Sequence, residues 1–101
     1  MKPEQQRIAI AEACGWTGIS YWGAGGINGK HPKEPWTEVI PDYLNDLNAM
    51  HEAEDTMYDG QLWIEYENVL TTAMDHVGGQ FHATAAQRAE AFLKALNLWK
   101  P

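Results

Sequence analysis

The stretch of the sequence whose residue types most resemble those of a nucleotide-binding site is glycine-rich and runs from Trp22 to Trp36, WGAGGINGKHPKEPW. Its segment AGGINGKH resembles a P-loop as far as Lys30, but His31 stands where a P-loop has the Ser or Thr that binds Mg²⁺. Pro32 then disfavours helical geometry at His31, although a P-loop must lead into a helix whose amides face the phosphates. The chemistry therefore argues against a P-loop NTPase.

The same stretch retains features of a simpler ligand-binding loop. Its glycines allow the backbone to approach a ligand closely, and Lys30 adds positive charge to an acidic protein. Trp22 and Trp36, together with Trp16 upstream, offer flat faces on which a base could stack. The alternative is a solvated surface loop whose aromatic residues pack beneath it, and the sequence leaves both interpretations open.

The segment PDYLNDLNAMHEAE, residues 41–54, predicts a helix that begins at its first or second residue. Helical spacing puts Asn48 and His51 on the same face as two leucines, with Asn45 on an adjoining face. These polar groups either bond to loop backbone or line a polar pocket. No spacing of histidine with histidine or carboxylate is convincing as a metal site, so we expect neither a metal nor a cofactor.

The tripeptide His82-Ala-Thr84 resembles the His-x-Thr element of two-histidine phosphodiesterases. Those enzymes need two such elements, one as acid and one as base, and this sequence has one. Thr84 is also a good helix N-cap, with Gln87 completing a capping box. The start of that helix, with Arg88 one turn in, is a candidate anion site.

Hydrophobic periodicity predicts a helix-rich α+β domain that spans residues 1–101, with about four helices and two or three short strands. The predicted helices cover residues 3–14, 41–57, 62–77 and 85–96. The predicted strands cover residues 16–22, 38–40 and 80–82, and residues 23–37 are predicted to be a loop.

Composition limits the classes of partner. The net charge of −7 argues against duplex DNA or RNA, but it permits a small phosphorylated ligand held by one or two local cations. No run approaches the roughly 18 apolar residues of a membrane span, and the first residues lack the apolar core of a signal peptide. We therefore expect a cytoplasmic protein that does not contact a membrane.

Three segments, IAIAEACGW (8–16), PDYLNDLNAMHEAE (41–54) and HATAAQRAEAFLKALNLW (82–99), together resemble the small phage proteins of the phage ABA sandwich domain family. The resemblance implies an α-β-α sandwich, with helices on both sides of a small sheet. It also implies a phage or prophage origin. It brings no established catalytic motif.

Small phage accessory proteins of this kind often counter host defence, so the leading hypothesis is a homo-oligomeric sponge that sequesters a nucleotide-derived immune signal. Such a signal would be a cyclic dinucleotide or a cyclic ADP-ribose-type molecule. The alternatives are a protein–protein inhibitor or assembly module, and a phosphodiesterase that uses His82. The predicted ligand-binding residues are Trp16, Trp22, Lys30, Trp36, Asn45, Asn48, His82, Thr84 and Arg88.

Overall fold

Four α-helices and a three-stranded antiparallel sheet form the described part of the chain, which confirms the predicted α+β class. The computed structural model describes residues 1–21, 26–57, 61–73 and 83–100. The helices are α1 (Pro3–Ala13), α2 (Leu47–Glu54), α3 (Gln61–Ala73) and α4 (Ala85–Ala95), and a 3₁₀ turn covers Asp55–Met57. The strands are β1 (Thr17–Tyr21), β2 (Ile27–Lys30) and β3 (Thr37–Val39).

The central strand of the sheet, β2, lies inside the stretch that was predicted to be a loop, so the loop assignment of residues 23–37 is wrong for Ile27–Lys30. Asparagine and glycine are poor strand formers, and local propensity therefore conceals this strand. Its inward positions are the buried Ile27 and Gly29. A Cβ at Gly29 would lie 3.0 Å from Ile19 Cγ1 and 3.4 Å from Ile40 Cγ2, so any side chain there would force its neighbours to move.

Helix α4 is the centre of the helical part, and it contacts α1, α2 and α3. Its inner face carries the fully buried Ala89, Phe92 and Leu93. The predicted capping box is confirmed, because the Gln87 N–H donates to Thr84 Oγ1 at 3.1 Å and the Thr84 N–H donates to Gln87 Oε1 at 2.8 Å. The helix ends before Asn97, which has a φ of 59° in the left-handed region that asparagine tolerates.

Helix α2 begins at Leu47, later than the predicted start at residue 41 or 42. Residues 43–45 form a turn, and Asp46 is the N-cap, with Oδ1 accepting from the N–H groups of Asn48 at 3.0 Å and Ala49 at 3.3 Å. The buried face is therefore not the one that helical spacing from Leu44 indicates. Asn48 and His51 are exposed, and Leu47 is 43% exposed.

Helix α3 agrees with its prediction as far as Ala73, and it buries Tyr66 and Leu70. The predicted end of this helix and the predicted strand over residues 80–82 lie outside the described residues. None of the described helices combines the length and the apolarity that crossing a bilayer would require.

Candidate ligand cleft around Trp16

A cleft of about 270 Å³ opens where the end of α1, the connection between β2 and β3, and the side of α2 meet. Arg7 of α1 holds this junction together by donating to the carbonyl oxygens of Ile40 and Pro41, just after β3. The cleft is lined by Cys14, Trp16, His31, Pro32, Lys33, Glu38, Pro41, Tyr43, Glu52, Ala53 and Thr56.

Aromatic rings dominate one side of the cleft. Trp16 is 6% exposed, and its ring centroid lies 5.1 Å from that of His31. The His31 ring in turn lies 6.3 Å from the ring of Trp36, which is 51% exposed. Trp36 Nε1 donates to Glu38 Oε2 at 2.9 Å, so this exposed ring has a defined orientation. A planar ligand at the cleft could stack on the open face of Trp36.

His31 organises the connection over residues 32–36 as well as lining the cleft. The ring Nδ1 accepts from the backbone N–H groups of Lys33 at 3.0 Å and Glu34 at 3.1 Å. The backbone N–H of His31 donates to the Trp36 carbonyl at 3.1 Å. Because Nδ1 is an acceptor, the neutral ring carries its proton on Nε2, 3.7 Å from Glu38 Oε1. The cleft therefore has an imidazole N–H donor at its edge.

The inner wall of the cleft is electrically neutral. Burial raises the pKa of the Cys14 thiol to about 11, and the hydrogen bond with Tyr43 opposes that shift only in part. Burial is also the main reason why the pKa of Tyr43 is raised, and the neighbouring Cys14 adds to it. At neutral pH both groups stay protonated, so the thiol is not poised as a nucleophile.

The charged groups stand at the rim of the cleft. Lys33 supplies one positive charge, whereas Glu38 and Glu52 supply two carboxylates. A polyanion would meet repulsion from both carboxylates. A planar molecule with hydrogen-bond donors and at most one phosphate suits this arrangement better.

Arg88 has a partner that the sequence analysis did not identify. Arg88 is 8% exposed and Glu54 is 5% exposed, and Arg88 Nη1 lies 3.0 Å and 3.3 Å from the two carboxylate oxygens of Glu54. Arg88 Nε also donates to the Ala83 carbonyl at 3.3 Å. A phosphate could bind Arg88 only at the expense of this buried pair.

The ion pair extends to two further polar side chains. His51 Nδ1 lies 3.1 Å from Glu54 Oε1. The pKa of Tyr66 is raised first by burial and then by the charge of Glu54, and Arg88 acts in the opposite sense. Among the described groups, the buried Tyr66 hydroxyl forms no hydrogen bond of normal geometry.

This buried cluster lies on another side of α2 from the cleft. Glu52 faces the cleft and Glu54 faces Arg88, and residues two apart on a helix do not face the same way. The predicted single pocket for tryptophan, asparagine and Arg88 side chains is therefore divided between two places.

The remaining predicted ligand residues lie away from the cleft lining. Asn45 donates to the Asp42 carboxylate at 3.1 and 3.2 Å, and Asn48 is exposed in the first turn of α2. Lys30 is exposed at the end of β2, and Thr84 caps α4. Trp22 and His82 lie outside the described residues.

Several cleft residues were missed as ligand contacts by the sequence analysis, above all His31, Tyr43 and Glu52. His31 carried a usable signal, because a histidine between tryptophans in a glycine-rich stretch is a candidate contact whether or not the P-loop pattern holds. Tyr43 and Glu52 carried no such signal in the sequence, since each is an ordinary residue of an amphipathic segment. Only the fold brings them close to Trp16.

In the part of the chain that the structure describes, no group of three or more His, Cys, Asp or Glu side chains could hold a metal ion. Comparison of the chain with protein-family models, with curated proteins and with solved structures gives no significant match.

Proposed function

We propose that the cleft around Trp16 binds a small planar ligand of the nucleobase type, and that the protein is a phage accessory protein of the host cytoplasm that sequesters a nucleotide-derived immune signal. The observation that carries the proposal is the aromatic group of Trp16, His31 and Trp36 beside a cleft with polar edges. Stacking on aromatic side chains contributes about 1–3 kcal/mol per base.

The size of the cleft restricts what one chain can hold. Its volume of about 270 Å³ is just below the range of roughly 300–1,000 Å³ typical of small-molecule pockets. A single base or nucleoside is the ligand that this volume favours. A cyclic dinucleotide or a cyclic ADP-ribose-type signal would place one base in the cleft, and a second copy of the protein would have to receive the rest.

The phosphate of such a ligand is assigned to Lys33, which lines the cleft. This assignment replaces Arg88, whose guanidinium is held by Glu54. A charge-assisted hydrogen bond to phosphate adds about 1.5–3 kcal/mol.

The test is depletion of defined nucleotides by the purified protein. Adenosine, guanosine, AMP, GMP, cyclic dinucleotides and cyclic ADP-ribose are each incubated with the protein, the free fraction is separated by filtration, and the protein is then heated. Depletion followed by release of the intact molecule supports sequestration. Release of an altered molecule would replace the proposal with the phosphodiesterase alternative. If no molecule of the panel is depleted, nucleotide sequestration is overturned.

A stacking variant tests the site itself. Trp36→Ala removes the exposed ring next to His31 without opening the core, and we expect the Kd of the depleted ligand to rise about ten- to hundredfold. Tyr21→Ala is the control, because Tyr21 is an exposed aromatic residue of β1, whereas Trp36 contacts the cleft residues His31 and Glu38. Isothermal titration calorimetry measures both variants. Equal affinity of Trp36→Ala and the wild type would remove Trp36 from the site.

A second candidate function, binding to a host or phage protein, is favoured by one observation. Trp36 and Val39 are both about half exposed at the edge strand β3. Exposed apolar residues on a strand edge are suited to a protein contact. If the protein depletes no nucleotide of the panel, binding to a host or phage protein becomes the leading function.

A further inference from the structure

A second and larger concavity, of about 760 Å³, runs along one side of α1. Its far wall is the segment after α4, which a hydrogen bond from the Leu98 N–H to the Leu93 carbonyl at 2.8 Å folds back onto the helix. It shares no lining residue with the cleft around Trp16. We call it the α1 groove, and it is lined by Met1, Gln5, Ile8, Ala9, Glu12, Ala13, Leu98 and Lys100.

The helix side of the groove carries apolar side chains, some of them small. Its helical residues recur at positions 5, 8, 9, 12 and 13, which is the spacing of one continuous helix face. Ala9 and Ala13 are small enough to let another helix approach closely, and Ile8 and Leu98 add larger apolar surface. Helix α1 has 11 residues, so this face is about 16 Å long.

Two opposite charges, Glu12 and Lys100, line the groove. Glu12 lies in the last turn of α1, where the helix dipole disfavours a negative charge, and that turn contains no basic residue. Lys100 lines the opposite wall. Among the described residues, neither of the two takes part in an ion pair.

We propose that the α1 groove receives the α1 groove of a second copy of this chain about a two-fold axis. In that arrangement Glu12 of each copy pairs with Lys100 of the other, and Ala9 and Ala13 form the close helix contact. A surface that carries both members of an ion pair is complementary to itself under a two-fold rotation. A ligand that carries a single charge would match one of the two charges and leave the other unpaired.

This interface goes beyond the proposed ligand binding, because it lies apart from the cleft and does not depend on what the cleft binds. The pairing also offsets the mutual repulsion of two chains that each carry a net charge of −7.

Charge reversal tests the pairing. Sedimentation equilibrium of the wild type at low salt is expected to show a dimer. Glu12→Lys and Lys100→Glu should each weaken dimerisation by about tenfold or more, because each places two like charges together at two symmetric positions. The double variant Glu12→Lys, Lys100→Glu should restore the wild-type dissociation constant with the net charge unchanged.

Two controls make the result decisive. Glu65→Lys makes the same charge change at an exposed position of α3 and should leave the dimer intact. Ala13→Tyr should give a monomer with the same circular dichroism spectrum, because it fills the groove at an exposed position. A wild type that stays monomeric at high micromolar concentration overturns the proposal. A double variant as weak as the single variants also overturns it.

Discussion

Arg88 and Glu54 carry opposite charges that α4 and α2 bury together. Each group has lost most of its hydration, and that cost is offset only while the other remains in place. The Ala83 carbonyl and His51 satisfy further hydrogen-bonding positions of the pair. We therefore assign Arg88 a role in holding α4 against α2.

Removal of one partner should therefore damage the fold. We expect Arg88→Ala to lower the free energy of unfolding by about 3–5 kcal/mol, because it leaves the Glu54 carboxylate buried without a counter-ion. Urea denaturation followed by circular dichroism measures the change.

The matched control replaces the two charges together. Arg88→Met combined with Glu54→Leu removes both at similar volume, and it should recover most of the lost stability. If Arg88→Ala is as stable as the wild type yet no longer depletes the ligand, Arg88 belongs to the ligand site after all.

At the scale of the structural element, the connection between β2 and β3 depends on one imidazole. His31 accepts two backbone N–H groups through Nδ1 and separates the rings of Trp16 and Trp36. Side-chain acceptors of this kind set the conformation of turns that lack ladder hydrogen bonds.

We expect His31→Ala to lower the free energy of unfolding by about 1–3 kcal/mol, through two lost hydrogen bonds and one lost ring contact. His31→Asn is the control, because its Oδ1 can accept the same two N–H groups. Thermal unfolding compares the stabilities, and acrylamide quenching of tryptophan fluorescence reports the looser connection. Identical melting of the alanine variant and the wild type would show that the imidazole does not organise this segment.

Strand β2 depends on a close approach rather than on propensity. Gly29 lies where a Cβ would meet Ile19 at 3.0 Å and the Thr17 carbonyl oxygen at 3.2 Å. The carbonyl belongs to the neighbouring strand backbone, so it cannot move without disturbing the sheet.

Gly29→Ala should therefore destabilise the protein by about 1–3 kcal/mol, even though alanine lowers the entropy of the unfolded chain. The control is Thr37→Ala at an exposed position of β3, which should change stability by less than about 1 kcal/mol. Chemical denaturation measures both. A Gly29→Ala variant more stable than the wild type would contradict the packing described around β2.

At the scale of the whole molecule, two buried tyrosines and the partly buried Cys14 thiol, all neutral at pH 7, link stability to pH. Burial raises the pKa of Cys14 from 9.0 to about 11, and it raises the pKa of Tyr43 and Tyr66 above their ordinary value of 10.0. Below pH 9 these groups are protonated in both the folded and the unfolded chain, so they have no effect there. Above it the unfolded chain ionises first, so the free energy of unfolding must fall as the pH rises towards 11.

The urea midpoint at pH 8 should therefore exceed the midpoint at pH 10.5. Cys14→Ala should reduce this difference, and it should leave the share that Tyr43 and Tyr66 contribute. A urea midpoint that does not change up to pH 11 would be inconsistent with the burial of these groups.

The two concave surfaces follow from the way the elements are distributed. The helices gather around α4, while the sheet buries Ile27 and Gly29 on one face and leaves Lys30, Thr37 and Val39 exposed on the other. Antiparallel sheets commonly face water on one side. The α-β-α layering implied by the family resemblance stays a prediction, as does the phage origin.

The features that could be predicted from the sequence are those that depend on residues close together along the chain. The helices α1 and α4 and the capping box at Thr84 were all predicted, because each depends on residues within about one turn. The start of α2 was predicted too early. Asp42 and Asp46 are both plausible caps, and only the turn between them decides which one is used.

The sequence by itself therefore determined the class of the fold and the helices α1 and α4, since local periodicity and capping act over a few residues. Only the tertiary structure decided that INGK is the central strand, that Arg88 pairs with Glu54, and that Trp16 lies near His31 and Glu52 in one cleft. The strand partners of INGK are 6 to 13 positions away, the contacts of Trp16 span 15 and 36 positions, and the Arg88–Glu54 pair spans 34. No local pattern encodes such distant pairings, because they arise from packing that buries apolar surface across the whole chain.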